Sequence, residues 1–226
     1  MNLTLLIPCK NDKVNLIKVI YDIKKIYPNI PILVVTNNNN DFDFSLIKKF
    51  NNIRHLNQKL PGYGSALKVG IDNIHTKFFI IHNADGSFEV EIIKKMYDLS
   101  KKFNFVFCDR YIKNGGSEDD TILTLVGNKI FSKMSQYLLN IKLNDVLYTH
   151  VLCNTEITNS FNLDRLHFTF CIELPYKVFK FHNSAISLPT VEKKRLSGKK
   201  NVNEFKDGFL ILIYILKLFF LSFKKR

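Results

Sequence analysis

Two hydrophobic patterns alternate along the first half of this chain: short apolar runs rich in Ile, Val and Phe, and longer segments whose apolar residues recur at helical spacing. The runs predict strands over Leu3–Ile7, Ile32–Val35, Ile53–Leu56, Phe78–His82 and Phe105–Cys108. The segments between them predict helices over Val14–Tyr27, Leu46–Phe50, Ser65–Asn73 and Val90–Phe103. Strands that alternate with helices in this way predict an α/β fold, with a mostly parallel sheet flanked by helices on both faces.

The pattern is looser in the second half of the chain. It predicts a long helix from about Thr121 to Leu139, another near Ile172–Phe181 and a strand near Ala185–Leu188. We expect these elements to form a smaller half that covers the edge of the sheet. Residues 1–200 are therefore predicted to form one domain, followed by a tail over residues 201–226.

The tail contains an almost wholly apolar stretch, Phe209–Phe223, which is closed by Lys224-Lys225-Arg226. As a helix, fifteen residues extend roughly 22 Å at ~1.5 Å each, which is short of the ~30 Å hydrocarbon core of a bilayer. A helix lying in the membrane interface fits this stretch better than a membrane span. A last helix packed on the domain, or on a second copy of the chain, fits it equally well.

Composition and net charge limit the classes of partner that this protein is expected to bind. The chain has 226 residues, is 46% hydrophobic and carries a formal net charge of +13, which favours phosphorylated ligands, lipid surfaces or nucleic acid. The four cysteines form no C-x-x-C pair, so neither a zinc site nor a disulfide framework is indicated. Because the chain begins with an apolar run and no charged leader, we expect the catalytic body to face the cytoplasm. With the basic, apolar tail, this predicts a cytoplasmic protein that is peripheral on the inner face of a membrane.

Polar residues follow each predicted strand, where a parallel sheet presents ligand groups at its carboxyl edge. Asp85 comes directly after the fourth strand, in the turn His82-Asn83-Ala84-Asp85-Gly86. Between the third strand and its helix lies Leu60-Pro61-Gly62-Tyr63-Gly64, whose glycines allow close backbone approach and whose helix start favours an anion. Each motif is weak alone, but together they form a constellation of candidate ligand groups at one edge of the sheet.

In this order and spacing, the motifs resemble glycosyltransferase family 2, a group of Rossmann-like enzymes with the GT-A fold that includes dolichyl-phosphate mannose synthases. The matching motifs are Leu5-Leu6-Ile7-Pro8, Gly62-Tyr63-Gly64-Ser65-Ala66, Asn83-Ala84-Asp85, Arg110-Tyr111, Gly127-Asn128, Asp145, Glu173-Leu174 and Arg195 to Lys200. The resemblance implies an inverting transfer of a sugar from a nucleotide-diphosphate donor to a polyprenyl-phosphate or glycan acceptor, as in the synthesis of cell-envelope polysaccharides.

The resemblance also assigns roles. It implies that Asp85 and Asn83 hold Mg²⁺ or Mn²⁺, which stabilises the departing diphosphate. Arg110 and Asp145 match catalytic positions, the first near phosphate and the second as a general base if the acceptor is a hydroxyl. A polyprenyl phosphate is largely ionised at pH 7 and needs no strong base. The positions implied to bind the nucleotide-sugar are Pro8, Asn37, Gly62, Gly64, Asn83, Ala84, Asp85, Arg195 and Lys199.

The chain departs from the family pattern at two positions. Thr36-Asn37 replaces the usual acidic pair after the second strand, and an asparagine carbonyl accepts a hydrogen bond from the base without assistance from charge. Asn83 replaces the first acid of the D-x-D turn and is a poorer ligand for a hard cation. These departures keep a catalytically degenerate sugar-nucleotide-binding protein open as an alternative, beside a nucleotidyltransferase. A basic nucleic-acid-binding module is the third class, but the chain offers no groove-reading motif, so no nucleic acid partner is expected.

Overall fold

The computed structural model describes residues 1–10, 13–37, 44–181, 184–198 and 202–223. The strands in this part of the chain are β1 (Leu3–Cys9), β2 (Ile32–Asn37), β3 (Ile53–Gln58), β4 (Phe78–Ile81), β5 (Phe105–Asp109), β6 (Gly116–Ser117), β7 (Val151–Asn154), β8 (Ala185–Pro189) and β9 (Val191–Glu192). The α-helices are α1 (Lys13–Ile26), α2 (Tyr63–Ile71), α3 (Ile92–Leu99), α4 (Ile122–Leu139), α5 (Thr155–Ser160), α6 (Phe170–Phe181) and α7 (Glu204–Phe223). A 3₁₀ helix covers Phe44–Ile47 in place of the helix predicted over Leu46–Phe50, a segment too short for a stable α-helix.

Seven strands form one sheet in the order β3-β2-β1-β4-β7-β5-β8, and all neighbouring pairs are parallel except the two that involve β7. The two short strands β6 and β9 pair separately. Each predicted strand is present, and the first three extend two residues further than the apolar pattern indicated. They reach Cys9, Asn37 and Gln58, so their last residues lie at the carboxyl edge where the candidate ligand groups were expected.

Helices cover both faces of the sheet, as predicted. On one face, α1 buries Leu16, Ile20 and Ile23 in a core cluster that also contains residues of β1 and α3. These three positions recur at i, i+4 and i+7, the spacing of one helix face. On the other face, α2, α6 and α7 share a second cluster. The two clusters sandwich the sheet, which explains why its central strands are continuous apolar runs.

The second half of the chain does more than cover the edge of the sheet. Strand β7 lies between β4 and β5 and runs antiparallel to both, with Phe79 opposite Cys153 and Val106 opposite Leu152. Its four residues are all buried. The sequence pattern missed this strand because a four-residue run with no turn signal before it has no periodicity to read.

The tail helix α7 begins five residues before the predicted apolar stretch. Its buried residues, Ile211, Tyr214, Ile215 and Leu218, belong to the second core cluster, and the helix packs against α4 and α6. The predicted domain boundary at residue 200 lies outside the described residues. None of the helices in the described part of the chain combines the length and apolarity needed to cross a membrane. One face of α7 therefore packs on the domain, as one of the two alternatives predicted, while its other face remains exposed.

Candidate active site

A cavity of about 710 Å³ opens at the carboxyl edge of the sheet. The strand order reverses between β1 and β4, and ligands of open α/β sheets bind where the order reverses. The predicted site residues that line the cavity are Pro8, Asn37, Gly62, Asn83, Ala84, Asp85, Arg110 and Arg195. Gly64 and Asp145 are not part of the lining, and Lys199 lies outside the described residues. The sequence motifs thus converge on one cavity, with two exceptions explained below.

Asp85 sits in a turn that fixes one of its carboxylate oxygens. Its Oδ1 accepts hydrogen bonds from the Ser87 backbone N–H at 3.0 Å and from the Ser87 hydroxyl at 2.8 Å. Its Oδ2 lies 3.8 Å from the Nη1 atom of Arg195. The next residue, Gly86, has φ +81°, and a Cβ there would collide with Leu196. The turn therefore needs glycine after Asp85, and it holds the carboxylate with one oxygen anchored and the other available for a weaker contact.

Asn83 occupies the same turn beside an aromatic wall. Its Oδ1 accepts a hydrogen bond from the Tyr63 hydroxyl at 3.3 Å, and that hydroxyl also lies 2.7 Å from Thr149 Oγ1. The Tyr63 ring is stacked on Phe168 with centroids 5.2 Å apart. The Asn83 amide is thus oriented by the protein, and Tyr63 has one ring face covered by a side chain.

The two glycines of the loop before α2 make room for another backbone segment. A Cβ at Gly62, whose φ is +126°, would lie 2.1 Å from the Leu166 carbonyl oxygen, and a Cβ at Gly64 would lie 2.1 Å from that of Arg165. The Leu166 carbonyl also accepts the Ser65 N–H at 2.9 Å, so the start of α2 is partly capped from within the protein. The close approach predicted for a ligand is made here by residues 165–167, and at Gly64 this packing accounts for the glycine.

Arg110 is buried among carboxylates. Its guanidinium forms a two-pronged contact with Asp145, with Nε to Oδ2 at 2.6 Å and Nη2 to Oδ1 at 3.0 Å. Its Nη1 donates to Glu192 at 2.6 Å and lies 3.5 Å from Asp120. The Asp145 side chain has no exposed surface, because Arg110 covers it. In this arrangement a substrate hydroxyl does not reach the carboxylate proposed as its base, and we name these four residues the Arg110 cluster.

Burial and pairing oppose each other in the Arg110 cluster. Burial raises the pKa values of Asp145 and Glu192, and the Arg110 charge lowers both. Burial alone would lower the pKa of Arg110, but Asp145 and Glu192 outweigh it, so that pKa is raised and the guanidinium stays charged. The opposite charges therefore depend on each other, as expected of buried ion pairs.

Arg195 bridges two carboxylates at the cavity wall. Its Nη2 lies 2.8 Å from Asp119 Oδ2, in addition to the longer contact with Asp85. Burial would lower the pKa of Arg195, but Asp119 raises it overall. The backbone around it folds over the Asp85 turn, since the Leu196 N–H donates to the Asp85 carbonyl at 2.9 Å. Arg195 therefore reaches the neighbourhood of Asp85, where the family resemblance places phosphate.

Sequence reasoning missed several polar residues of the cavity wall, among them Gln58, Asp119, Asp120 and Glu192. The acidic run Ser117-Glu118-Asp119-Asp120 was the one local signal for two of them. Glu192 meets Arg110 across 82 positions of the chain, and Asp119 meets Arg195 across 76. Such pairings follow from the topology and leave no trace in the local pattern.

A histidine pair lies beside the turn but outside the cavity lining. His82 and His150 are fully buried with ring centroids 5.2 Å apart, and Phe88 stacks on His150 at 4.4 Å. Within the described part of the chain, all four ring nitrogens lack a hydrogen-bond partner. Burial lowers the pKa of His82 to about 4, and burial together with His82 lowers that of His150. Both rings are therefore neutral at pH 7 and act as core residues.

The donor groups at the Asp85 turn suit a hard divalent cation that keeps other ligands. They are a carboxylate and an amide oxygen, the ligand types that Mg²⁺ and Mn²⁺ accept. Among the described residues, no group of three or more His, Cys, Asp or Glu side chains is arranged to enclose a metal ion. The residues present thus fit a cation that phosphate and water help to bind, and they do not form a closed structural metal site.

Comparison with known proteins agrees with the geometry. The family described as "Glycosyl transferase family 2" matches residues 4–160. No curated protein matches the chain. Glucosyl-3-phosphoglycerate synthase from Mycobacterium tuberculosis, solved with Mn²⁺, UDP-glucose and phosphoglyceric acid, has a TM-score of 0.72 at 11% identity, covering 95% of this chain and 78% of that one. Mannosyl-3-phosphoglycerate synthase from Rubrobacter xylanophilus has a TM-score of 0.71 at 12% identity, covering 99% and 75%. At these identities the structural likeness shows a shared fold.

Proposed function

Because the chain belongs to glycosyl transferase family 2, we propose that it transfers a sugar from a nucleotide-diphosphate donor to a polyprenyl phosphate at the cytoplasmic face of a membrane. The protein is a glycosyltransferase by its family, and the acceptor and the membrane are what the proposal adds. The donor is expected to lie along the carboxyl edge, with its nucleoside at the ends of β1–β3 and its diphosphate at Asp85.

The cation site proposed for the donor rests on the Asp85 turn. Solved structures of the Mycobacterium tuberculosis synthase contain UDP with Mn²⁺ or with Mg²⁺. In this chain the Asp85 carboxylate and the Asn83 amide oxygen would hold such an ion, which neutralises charge on the departing diphosphate when bound. Arg195, already 3.8 Å from Asp85, would add positive charge beside the diphosphate. The family resemblance assigns a like role to Lys199, which lies outside the described residues. The turn itself keeps the carboxylate oriented through Ser87.

A phosphate acceptor agrees with the state of Asp145. That carboxylate is covered by Arg110 and does not line the cavity, so we assign it a positioning role: it holds the guanidinium in place. A hydroxyl acceptor would need a general base within hydrogen-bond reach. A polyprenyl phosphate is largely ionised at pH 7 and attacks without one. This acceptor class therefore does not depend on an accessible Asp145.

The observation that carries the proposal is the exposed apolar surface beside the cavity. On α7, a stripe at helical spacing is exposed, with Phe205 80%, Phe209 62% and Phe220 63% accessible. On the adjoining helix α4, Ile122 is 84% accessible, and Leu123, Val126 and Ile130 are also exposed. The two helices pack together, and both contribute residues to the cavity wall. We name these exposed residues the α4–α7 face.

The charge around the α4–α7 face supports an anionic membrane surface as its partner. Exposed lysines flank it on both helices: Lys129 and Lys133 on α4, and Lys206 and Lys217 on α7. Apolar side chains bordered by lysine are typical of surfaces that bind the interface of anionic membranes. The cavity would then open next to the lipid, so that a polyprenyl phosphate could present its head group without leaving the bilayer.

The proposal is tested with vesicles that contain anionic lipid and polyprenyl phosphate. We expect the protein to sediment with them and to transfer sugar from a UDP- or GDP-sugar in the presence of Mn²⁺. A double variant, Phe209→Ser with Phe220→Ser, should lose sedimentation and transfer while keeping hydrolysis of the donor. Val14→Ser and Tyr21→Ser, at exposed positions on α1, are the matched controls.

Transfer of the sugar to a water-soluble acceptor would contradict the proposed function. If the protein glycosylates phosphoglyceric acid, the compound held by the Mycobacterium tuberculosis synthase, and not polyprenyl phosphate, then the proposed acceptor is wrong. Full transfer to polyprenyl phosphate by the double variant would also contradict the role of the α4–α7 face.

A further inference from the structure

Arg195 lies beside the one carboxylate oxygen of Asp85 that Ser87 does not hold. The Ser87 backbone N–H and hydroxyl donate to Asp85 Oδ1 at 3.0 and 2.8 Å, so Oδ2 is the oxygen left for a cation. That oxygen lies 3.8 Å from Arg195 Nη1. The oxygen that a divalent cation would need is therefore the one that already has a positive charge next to it.

Asp119 holds the Arg195 guanidinium in this position. Arg195 Nη2 donates to Asp119 Oδ2 at 2.8 Å, and Nε lies 3.4 Å from Asp119 Oδ1. Both distances are shorter than the 3.8 Å approach to Asp85, so Asp119 is the firmer partner. Arg195 can thus lose its contact with Asp85 and still remain attached beside the turn.

The backbone on both sides of Arg195 is fixed to the Asp85 turn. Before Arg195, the Lys193 N–H donates to the Ser87 carbonyl at 2.9 Å, and after it the Leu196 N–H donates to the Asp85 carbonyl at 2.9 Å. These bonds keep the guanidinium and the carboxylate within reach of each other. A change of partner at Arg195 therefore needs a movement of its side chain alone.

Low exposure strengthens the interaction between these charges. The side chains of Arg195 and Asp85 are 19% and 14% exposed, so salt and water screen their attraction less than that of a surface pair. A divalent cation at Asp85 would be repelled by the guanidinium at this distance. A diphosphate beside the turn would attract the guanidinium, because phosphate oxygens match its parallel N–H donors.

We propose that Arg195 is the internal counter-ion of Asp85 and makes cation binding depend on the diphosphate. Without a diphosphate, Arg195 opposes a divalent cation at Asp85 Oδ2, so a free cation binds weakly. A diphosphate offers Arg195 another anionic partner and leaves Oδ2 to the cation, so cation and diphosphate enter together. The family resemblance assigns Arg195 to phosphate, and its opposition to the cation is the new element. This inference rests on the proposed function, because it assumes that the cation and the diphosphate meet at the Asp85 turn.

Titration of the full chain with Mn²⁺ alone tests the inference, with the electron paramagnetic resonance signal of free Mn²⁺ as the readout. We expect Arg195→Met to bind Mn²⁺ about fivefold to tenfold more tightly than wild type, because it removes a positive charge 3.8 Å from the ligand oxygen. Adding Asp85→Asn to Arg195→Met should abolish the gain, which assigns the bound Mn²⁺ to this turn. Lys10→Met is the matched control: it removes an exposed positive charge from the wall of the same cavity and should change Mn²⁺ affinity less than about twofold.

Calorimetric titration with UDP and with GDP, in excess Mn²⁺, separates this role from two others. Arg195→Met should weaken the tighter of the two nucleotides about tenfold through the lost phosphate contact, so the affinities for Mn²⁺ and for nucleotide change in opposite directions. A residue that only shapes the site would weaken both ligands, and a residue that only binds phosphate would leave Mn²⁺ affinity unchanged. Either result overturns this inference alone, whereas a wild-type protein that binds neither nucleotide with Mn²⁺ overturns the proposed function as well.

Discussion

Two groups of polar side chains at the cavity differ in whether the protein itself supplies their partners. In the Arg110 cluster, each charge is paired within the protein, and the guanidinium contacts Asp145 and Glu192 at 2.6 Å. Elsewhere in the cavity wall, the carbonyl oxygens of Asn37 and Gln58 lack partners among the described residues, and Asp85 Oδ2 lies 3.8 Å from Arg195 Nη1. The first region is complete without a ligand, and the second is not.

This difference separates groups that build the site from groups that bind in it. The type of residue alone does not show whether a group builds the site or binds in it, because arginine and aspartate occur in both regions. What decides it is whether the protein supplies the partner. Substitutions in the complete region should therefore damage the fold, and those in the incomplete region should damage binding or turnover while sparing the fold.

Replacing Arg110 should have the largest effect. Arg110→Met leaves Asp145 and Glu192 buried without their counter-charge, and breaking a buried pair from one side costs about 3–5 kcal/mol. Urea unfolding monitored by circular dichroism measures the loss. Lys94→Met is the matched control, because it removes one partner of an exposed ion pair with Asp98 and should leave the free energy of unfolding nearly unchanged. An Arg110→Met protein as stable as wild type would show that the cluster is not a structural unit.

Asp85→Asn should reduce turnover strongly while changing the stability of the fold little. The amide oxygen can still accept the hydrogen bonds from Ser87, so we expect the free energy of unfolding to change by less than ~1 kcal/mol. Turnover of the sugar-nucleotide should fall by roughly 10²–10³-fold, the usual effect of removing one group that stabilises charge in a transition state. Donor hydrolysis with Mn²⁺ and thermal melting give the two readouts. Asp98→Asn, on the exposed surface of α3, serves as the control, and unchanged turnover in Asp85→Asn would remove the proposed cation site.

The sequence could predict the incomplete region far better than the complete one. Asp85 follows a buried apolar run, so its place at the carboxyl edge follows from local pattern and the geometry of parallel sheets. Asp145 and Glu192 meet at Arg110 from remote parts of the chain, and no periodicity encodes that meeting. The family resemblance named Arg110 and Asp145 without showing that they contact each other. Gln58 was missed for a different reason: the apolar pattern ended at Leu56, and the strand continues two residues beyond it.

The histidine pair is a third case, because its ring nitrogens have no partner in the described part of the chain and yet lie outside the cavity. The folded pKa of His82 is about 4, below the unfolded value of ~6.5, so the unfolded state binds more protons between these values. Stability is therefore fully present above pH ~6.5 and is lost as the pH falls toward 4. Between pH 7 and pH 5 we expect His82 to account for a loss of roughly 2 kcal/mol.

Urea unfolding at pH 7 and pH 5 checks this effect. His150→Phe removes one of the two coupled imidazoles, and its loss of stability between the two pH values should be smaller than that of wild type. His75→Phe, which makes the same replacement at an exposed histidine, is the matched control. A wild-type free energy of unfolding that does not vary between pH 7 and pH 5 would contradict the buried, neutral state of the pair.

The smallest expected effect is a change in the free energy of unfolding at the ends of β2 and β3. Its sign shows directly whether a polar group has its partner within the protein. Thr36→Val removes a hydroxyl that donates to Asn57 and leaves that amide oxygen without its donor, so the free energy of unfolding should fall by about 1 kcal/mol. Gln58→Leu removes a buried carbonyl that has no hydrogen-bond partner among the described residues, and the ligand-free protein should keep its stability or gain up to about 1 kcal/mol. Both changes lie at the ends of adjacent strands, so a shared effect on the β2–β3 pairing would shift the free energy of unfolding of both variants in the same direction.

Urea unfolding of the ligand-free variants measures the two changes. Changes of opposite sign require that one polar group is satisfied by the protein and the other is not. If Gln58→Leu destabilises the protein as much as Thr36→Val, then the Gln58 amide has a structural partner. The carboxyl ends of β2 and β3 are in that case as complete without a ligand as the Arg110 cluster.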